Sequence, residues 1–375
     1  MRMRNPGCSQ QGFSFYSAYF RPVLRRFILI TILILPVRVP AQVLGGSSVF
    51  NFLRLSPSPQ LTALGGVNIS QLSDDIGMAV QNPALFSPGM HSQLQAVFND
   101  FYGGISVFHL SGGFYHEKLN TGITGAIHFF NYGNTAQTDA AGNILGRFRP
   151  VDFVIQAGAA RKYQERWVYG ANLKFIHSAY GPYRSSGIAG DIGLSYRDTA
   201  KGLSAGFLVR NMGVQISRYG SEQEDLPFEL MAGITQKLPD APFSFSLTGQ
   251  RLQHFDIRYD DTAFNNANGY ANSSRSKFTA GKLLDHLVLG MTLHLHSRVE
   301  CQAGYNFLRR RELKSGAGGN GLNGFSLGMS AYLGKLTVRY ARAYYQPRSA
   351  YSQFGLSLPL DRLNVRGTTR QNKKW

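Results

Sequence analysis

Apolar and polar residues alternate along successive segments of Ser92–Leu358. Odd and even positions separate in this way in Val299–Phe307, Leu287–Leu295, Phe325–Leu333 and Trp167–Phe175. Because neighbouring side chains of a strand point to opposite faces, a period of two predicts strands with one apolar and one polar face. The pattern therefore predicts an all-β protein.

The connections between these segments alternate between short and long. Short turns are predicted near residues 117–120, 162–166, 198–202, 238–242, 296–298 and 334–335. Longer loops are predicted near residues 131–150, 178–184, 212–225, 256–281, 308–322 and 346–350. Short turns at one end and long loops at the other are typical of outer-membrane barrels. We therefore predict a transmembrane antiparallel β-barrel of about fourteen strands over residues 92–358.

The lipid bilayer limits which backbone structures can cross the membrane. No segment after the N-terminal region is apolar enough to predict a membrane-spanning helix. Lipid cannot hydrogen-bond a polypeptide backbone, so a chain without such helices crosses it only as a closed barrel. The 26 Phe and 19 Tyr residues, many of them near strand ends, fit aromatic girdles at the membrane interfaces. A soluble β-sandwich has a similar alternation, but washing membranes with carbonate would release it.

The first 41 residues predict a signal peptide. Arginines precede the apolar run Phe27–Leu35, and small residues follow at Val39–Ala41, where a signal peptidase would cleave. A signal peptide predicts export, and together with the barrel pattern it predicts the outer membrane. Cys8 would leave with the signal peptide, and Cys301 would then be alone on the apolar face of its strand. We therefore predict no internal disulfide.

The chain carries a net charge of +18, concentrated in part at Arg309–Arg311 and in a basic C-terminal tail, residues 359–375. Basic chains often bind nucleic acid, but export and the barrel pattern argue against that partner. Lipid headgroups of the outer membrane, lipopolysaccharide or an acidic protein fit better. We predict Arg309, Arg310 and Arg311 as partner-docking residues, with loops 256–281 and 308–322 as the docking surface.

Residues 42–91, between the signal peptide and the first strand, do not alternate cleanly. We predict that this segment folds into the barrel as a plug. Gly65 and Gly66 permit positive φ or close backbone approach. Asp74 and Asp75 are placed to cap a short helix that starts near Ile76. As sequence neighbours, the two carboxylates point apart, so they do not predict an acid–base pair.

The same segment carries a resemblance to a known family. Several motifs together resemble FadL-like outer-membrane proteins, namely Ser48–Leu53, the Ala-Leu-Gly-Gly sequence within Ala63–Asn68, the pair Asp74 and Asp75, and Asn82, Pro83 and Ala84. Within that family, the chain is most similar to the Bacteroidota barrels of the type IX secretion system. The resemblance covers essentially the whole chain after the signal peptide.

This resemblance implies a FadL-like barrel that belongs to the cell-surface attachment complex of type IX secretion. Such a barrel would hold a PorZ-like protein beside a PorU-like sortase and a PorV-like shuttle. The complex links exported cargo to lipopolysaccharide. The alternative is a FadL-like transporter of hydrophobic small molecules, which predicts an apolar pocket near the plug and a break in the wall. An anchor predicts a filled or polar lumen.

No motif in the sequence predicts catalysis. A nucleophile elbow is missing, and no cluster of Cys, His or carboxylate residues completes a metal site. We therefore expect no enzymatic activity, no cofactor and no metal.

Overall fold

Fourteen strands close into an antiparallel barrel, so the predicted fold class is confirmed. The computed structural model describes residues 48–257, 279–313, 321–344 and 350–362. Several predicted segments lie outside the described residues: the signal peptide, most of docking loop 256–281, residues 314–320 of docking loop 308–322, and the tail from residue 363.

The barrel wall contains long, nearly regular strands, and β1 pairs with β16 to close it. The wall strands are β1 (Gln93–Asp100), β2 (Ser106–His116), β3 (Thr121–Asn131), β6 (Val151–Tyr163), β7 (Trp167–Tyr180), β8 (Tyr183–Asp198), β9 (Leu203–Ser217), β10 (Glu229–Lys237), β11 (Phe243–Gly249), β12 (Leu287–His296), β13 (Val299–Asn306), β14 (Phe325–Leu333), β15 (Leu336–Tyr344) and β16 (Ala350–Pro359). A separate hairpin of β4 (Thr135–Thr138) and β5 (Ile144–Phe148) lies between β3 and β6 in sequence.

The alternation of each strand has the polarity of a membrane barrel. In β1, Leu94 and Phe98 are exposed on the outside, whereas Gln95 and Asn99 are buried on the inside. This arrangement is the reverse of a soluble sandwich, in which the apolar face would be buried. The predicted apolar exterior and polar interior are therefore confirmed.

Two predicted long loops differ from the structure. Strand β9 continues to Ser217, so the predicted loop 212–225 begins only after that residue. The segment 178–184 contains only a two-residue turn, because β7 ends at Tyr180 and β8 begins at Tyr183. Gly181 adopts φ +62°, which lets the chain reverse tightly. The Gly-Pro pair signals a turn in the sequence, but it does not fix the length of the connection.

The other predicted loops include local structure that the alternation does not reveal. Loop 131–150 contains the β4–β5 hairpin. Helix α3 (Ala280–Asp285) lies at the end of loop 256–281, and helix α4 (Phe307–Glu312) opens loop 308–322. Arg311 of α4 pairs with Asp285 of α3 at 2.7 Å, which joins the two helices at this rim of the barrel.

The plug contains short helices rather than strands. Helix α1 (Pro59–Ala63) and helix α2 (Ile76–Gln81) are its α-helical turns, and 3-10 turns cover Asn51–Arg54, Pro83–Leu85 and Pro88–Met90. Its apolar residues form a core between plug and wall, in which Leu61, Ile76, Met78 and Leu85 are almost fully buried. Among the described residues, no helix is long and apolar enough to span a membrane.

Candidate functional site: the plugged lumen and its rim

The plug passes through the lumen from the long-loop end to the short-turn end. At the long-loop end, Ser48 bridges to Asp225, and the amide of Val49 donates to the Asp225 carbonyl at 3.0 Å. Asp225 lies in the connection between β9 and β10. At the opposite end, the plug leads directly into β1 at Gln93. The plug therefore occupies the full depth of the barrel.

Every strand of the wall contacts the plug. Side chains or backbone groups of twelve strands form a hydrogen bond or ion pair with it; these strands are β1, β2, β6 to β13, β15 and β16. On β3 and β14, Gly122 and Gly328 face Phe86 and Ala63 of the plug at close range. Contacts with the wall therefore surround the plug on all sides.

The Gly65-Gly66 pair lies where the plug turns against β12 and β13. Gly65 has φ +95° and Gly66 has φ +90°, a region that glycine adopts readily. A Cβ atom on Gly65 would lie 2.4 Å from a methyl carbon of Val288. The side-chain amide of Asn306 donates to the Gly65 carbonyl at 3.2 Å. Positive φ and close approach thus both require glycine at position 65.

The two adjacent carboxylates separate completely. Asp74 is exposed, and the Ser87 hydroxyl lies 3.4 Å from it. Asp75 is buried and caps α2, accepting a hydrogen bond from the Gly77 amide at 3.0 Å. It also accepts hydrogen bonds from Ser58 and from Gln95, the latter at 2.6 Å. Asp75 is therefore a structural anion of the plug.

Arg339 on β15 is the cation nearest to Asp75. Its Nε atom lies 3.8 Å from a carboxylate oxygen of Asp75, and its side chain is 1% exposed. The guanidinium also donates to the Ser357 hydroxyl at 2.8 Å. Arg339 is not among the residues that the sequence pattern predicts for the site. Arg339 occupies an inward position of an alternating strand, and a buried charge is costly without a partner. A charged residue at such a position is the sequence feature that could have pointed to it.

Asn82, Pro83 and Ala84 fit the plug against β7 and β8. The side-chain amide of Asn82 donates to the Ile69 carbonyl at 2.9 Å, and its oxygen accepts from the Ala84 amide at 3.1 Å. Asn82 ends α2 with extended dihedral angles, as expected for a residue before proline. Arg197 on β8 donates to the Ala84 carbonyl at 2.6 Å.

A second buried charge pair stiffens the wall near the long-loop end. Lys174 on β7 lies 2.7 Å from Asp191 on β8, and its ammonium also donates to Asn211 at 2.9 Å. Nearby, Arg54 of the plug lies 3.1 Å from Glu229 on β10. In these two pairs each charge has an opposite charge beside it, which makes its burial tolerable.

Among the described residues, one small cavity lies inside the barrel beside these groups. A cavity of about 30 Å³ separates the Phe52–Pro57 part of the plug from the wall. That volume has room for about two water molecules. Its lining mixes apolar and polar side chains, including Phe52, Leu53, Val80, His128, Lys174 and Arg210.

The outer wall has a larger concavity near the closure of the barrel. It measures about 360 Å³ and faces the lipid side of β16, β1, β2 and β3. Ala96 forms part of its floor. Around it lie bulky apolar residues, namely Phe98, Phe108, Leu110, Ile127, Phe129, Phe354 and Leu356. Because β1, β2, β3 and β16 stay paired beneath it, this concavity does not connect to the lumen through a missing strand.

The arginine cluster lies on the rim at the opposite end from Asp74. Arg311 pairs with the buried Asp285, and Arg310 donates to the Gly321 carbonyl at 2.9 Å. Arg309 is half-buried at the start of α4. The cluster therefore contributes to the structure of the rim, and the plug residues and the arginines form two separate regions.

Comparisons with known proteins identify the fold. No family model and no functionally curated protein matches the sequence. The solved structure of CymD, a monoaromatic hydrocarbon channel, has a TM-score of 0.50 and 15% identity over 83% of this chain and 97% of that chain. The Pseudomonas putida toluene transporter TodX has a TM-score of 0.49 and 11% identity over 80% of this chain and 96% of that chain.

At this level of identity, the similarity to CymD concerns the fold alone. Together with the closed wall and its apolar exterior, it defines the class of protein. The chain is an outer-membrane β-barrel of FadL-like fold, with its N-terminal segment folded inside as a plug.

Proposed function

We propose that this barrel is a non-enzymatic platform that holds a protein at the cell surface, as part of the type IX secretion attachment complex. The main support for the proposal is the plug inside the lumen. The plug contacts all fourteen strands, and the cavity beside it measures only about 30 Å³. A platform needs a stable wall and an outer surface for docking. A channel needs a continuous path for the transported molecule.

The energetics of the plug support a permanent rather than a movable role. Pulling the plug away would separate Asp75 from Arg339 and Arg54 from Glu229. Asp75 and Arg339 are both almost fully buried, and leaving one member of such a pair without its partner costs roughly 3–5 kcal/mol. These contacts act in addition to the apolar core around Met78 and Leu85.

The resemblance of the plug sequence supports the particular complex. The plug looks most like PorQ in Ser48–Leu53, Ala63–Asn68, the pair Asp74 and Asp75, and the Asn82-Pro83-Ala84 motif. PorQ is understood to hold PorZ at the surface. By that resemblance, the partners are a PorZ-like protein, a PorU-like sortase and a PorV-like shuttle. The surrounding lipopolysaccharide is the expected lipid partner.

The second candidate is a channel for hydrophobic small molecules. The fold similarity to CymD favours it, because CymD is a monoaromatic hydrocarbon channel. The apolar concavity of about 360 Å³ on the outer wall also favours it. Against it stands the lumen, where the cavity is far smaller than the roughly 300 Å³ of an ordinary ligand pocket.

Purification of the intact barrel from gently solubilised outer membranes tests the proposal. We expect a PorZ-like surface protein to be recovered with it, and we expect cells lacking the barrel to take up a labelled monoaromatic hydrocarbon as fast as wild-type cells. Loss of uptake without recovery of a surface protein would establish the channel instead. A carbonate wash of the membranes provides the control for true membrane insertion.

A further inference from the structure

The β4–β5 hairpin extends the long-loop rim without joining the barrel sheet. Thr135 pairs with Phe148, and Ala136 pairs with Arg147. Among the described residues, neither β4 nor β5 pairs with any other strand. An unpaired strand edge presents a row of backbone donors and acceptors that another extended chain can join.

The tip of the hairpin is ordered by its own turn. One carboxylate oxygen of Asp139 accepts hydrogen bonds from the amides of Ala141 and Asn143, at 2.9 Å and 2.8 Å. The side-chain amide of Asn143 donates to the other oxygen at 2.9 Å. The hydrogen bond from Asn143 lowers the pKa of Asp139, so the carboxylate stays charged in this role.

The base of the hairpin is held to the barrel. Tyr132 donates its hydroxyl to Asp152, and Tyr180 donates to the same oxygen at 3.0 Å. Burial raises the pKa of Tyr132, and the Asp152 carboxylate raises it further, which keeps the phenol protonated as a donor. With both tip and base fixed, the hairpin is pre-organised, which reduces the entropy that a partner must overcome.

One face of the hairpin combines apolar and cationic groups. Ala136 and Thr138 share a face, and their cross-strand partners are Arg147 and Ile144. Ile144 is 69% exposed, and Leu145, beside it at an irregularity in the pairing, is 66% exposed. Arg147 and Arg149 outnumber Asp139, the one carboxylate of residues 132–150, so this segment carries a net charge of +1.

We propose that the free edge of β5 docks an extended, acidic segment of a surface protein, which adds to the hairpin as a third strand. This inference rests on the proposed platform function and gives it a binding surface. Main-chain hydrogen bonds would supply affinity, and the pockets for alternate side chains would supply specificity. Ile144 would anchor an apolar side chain, and Arg147 would pair with a carboxylate.

A protein partner fits the hairpin better than the membrane does. Insertion of Ile144 and Leu145 into lipid would bring open strand edges with them, and lipid cannot satisfy their backbone groups. It would also bring the guanidinium of Arg147 towards an apolar medium. An added strand satisfies the edge and offers carboxylates to the arginines.

The double variant Ile144→Glu/Arg147→Glu tests the proposal in the full-length barrel. We expect recovery of the surface partner to fall at least about tenfold, because loss of a central anchor typically costs more than 1.4 kcal/mol. The matched control is Leu119→Glu/Lys118→Glu in a turn at the opposite end, where Leu119 is 58% exposed. Both variants should keep wild-type heat-modifiable migration on gels, which reports a folded barrel.

A photo-crosslinking residue at Leu145 gives an independent measurement. We expect the crosslinked peptide to be an acidic, extended segment of the surface partner. Crosslinking to lipopolysaccharide, or to a second copy of the barrel, would overturn the proposal. If the wild-type barrel recovers the partner and the hairpin variant recovers it equally well, the hairpin inference fails alone. If the wild-type barrel recovers no surface protein, the proposed function fails with it.

Discussion

At the scale of single residues, Asp74 and Asp75 show how position decides the role of a carboxylate. Asp74 is exposed near the short-turn end of the barrel, whereas Asp75 is buried and accepts hydrogen bonds from Ser58, Gln95 and the amide of Gly77. The same side chain is thus solvated at one position and structural at the next. The buried position depends on its cation, Arg339.

Substitution of Asp75 by alanine should destabilise the barrel strongly. It leaves Arg339 buried without a carboxylate among the described residues, and it removes the cap of α2. We expect the free energy of unfolding to fall by roughly 3–5 kcal/mol, measured by urea titration in lipid vesicles. Asp74→Asn is the matched control and should change it by less than about 0.5 kcal/mol. Equal effects of the two substitutions would contradict the structural role of Asp75.

At the scale of elements, glycines let the plug approach the wall. A Cβ atom on Gly304 of β13 would lie 2.1 Å from the amide nitrogen of Gly65. Gly206 of β9 and Gly193 of β8 would bring a Cβ atom equally close to Ile69 and Asn82. Glycine in a strand interior normally weakens the strand. At these positions it lets the plug backbone approach the wall closely.

Gly304→Ala should therefore loosen the plug. The added methyl group meets backbone atoms of Gly65 and Leu64 that cannot rotate away. We expect a loss of about 1–3 kcal/mol in unfolding free energy and faster proteinase K cleavage within the plug. Gly125→Ala is the control, because a Cβ atom there meets no atom within 4 Å. If both variants resist cleavage as wild type does, close packing at Gly304 is not what holds the plug.

The sequence predicts the wall better than it predicts what the wall encloses. Alternation is local, so strands such as β1 and β13 follow from a few residues each. The connection after Tyr180 was misjudged, because Gly181 signals a turn without giving its length. Arg339 was overlooked, because its partner Asp75 lies far away in sequence and only the closed barrel brings the two together.

The candidate site was predicted in part for the same reason. The turn signals of Asn82 and Pro83 and the capping position of Asp75 are local, and the structure places these residues inside the lumen. The role of the hairpin edge at Ile144 depends on what stays unpaired after folding, which no local pattern records. Docking by Arg309–Arg311 stays a prediction, although Arg311 is engaged with Asp285.

At the scale of the whole molecule, the question is whether the plug ever moves. The barrel is closed by β1 and β16, and its interior is occupied from the long-loop end to the short-turn end. A platform works with the plug fixed, whereas transport through the lumen requires its displacement. A reversible covalent lock between plug and wall separates these two functions in the same molecule.

Ser70 of the plug and Thr235 of β10 offer positions for such a lock, because their hydroxyl oxygens lie 2.8 Å apart. Cysteines at both positions can form a disulfide with little backbone movement. The background carries Cys301→Ala, which removes the free thiol on β13. The single variant Ser70→Cys in that background controls for oxidation itself.

We expect the oxidised and reduced forms of Ser70→Cys/Thr235→Cys to recover the surface partner equally, since docking uses the rim and leaves the plug in place. Hydrocarbon uptake by cells should likewise not respond to oxidation. Uptake that falls on oxidation and returns with reductant would require a moving plug and a conducting lumen. That result would make the barrel a gated channel, and the ion pairs Asp75–Arg339 and Arg54–Glu229 would then be the contacts that open.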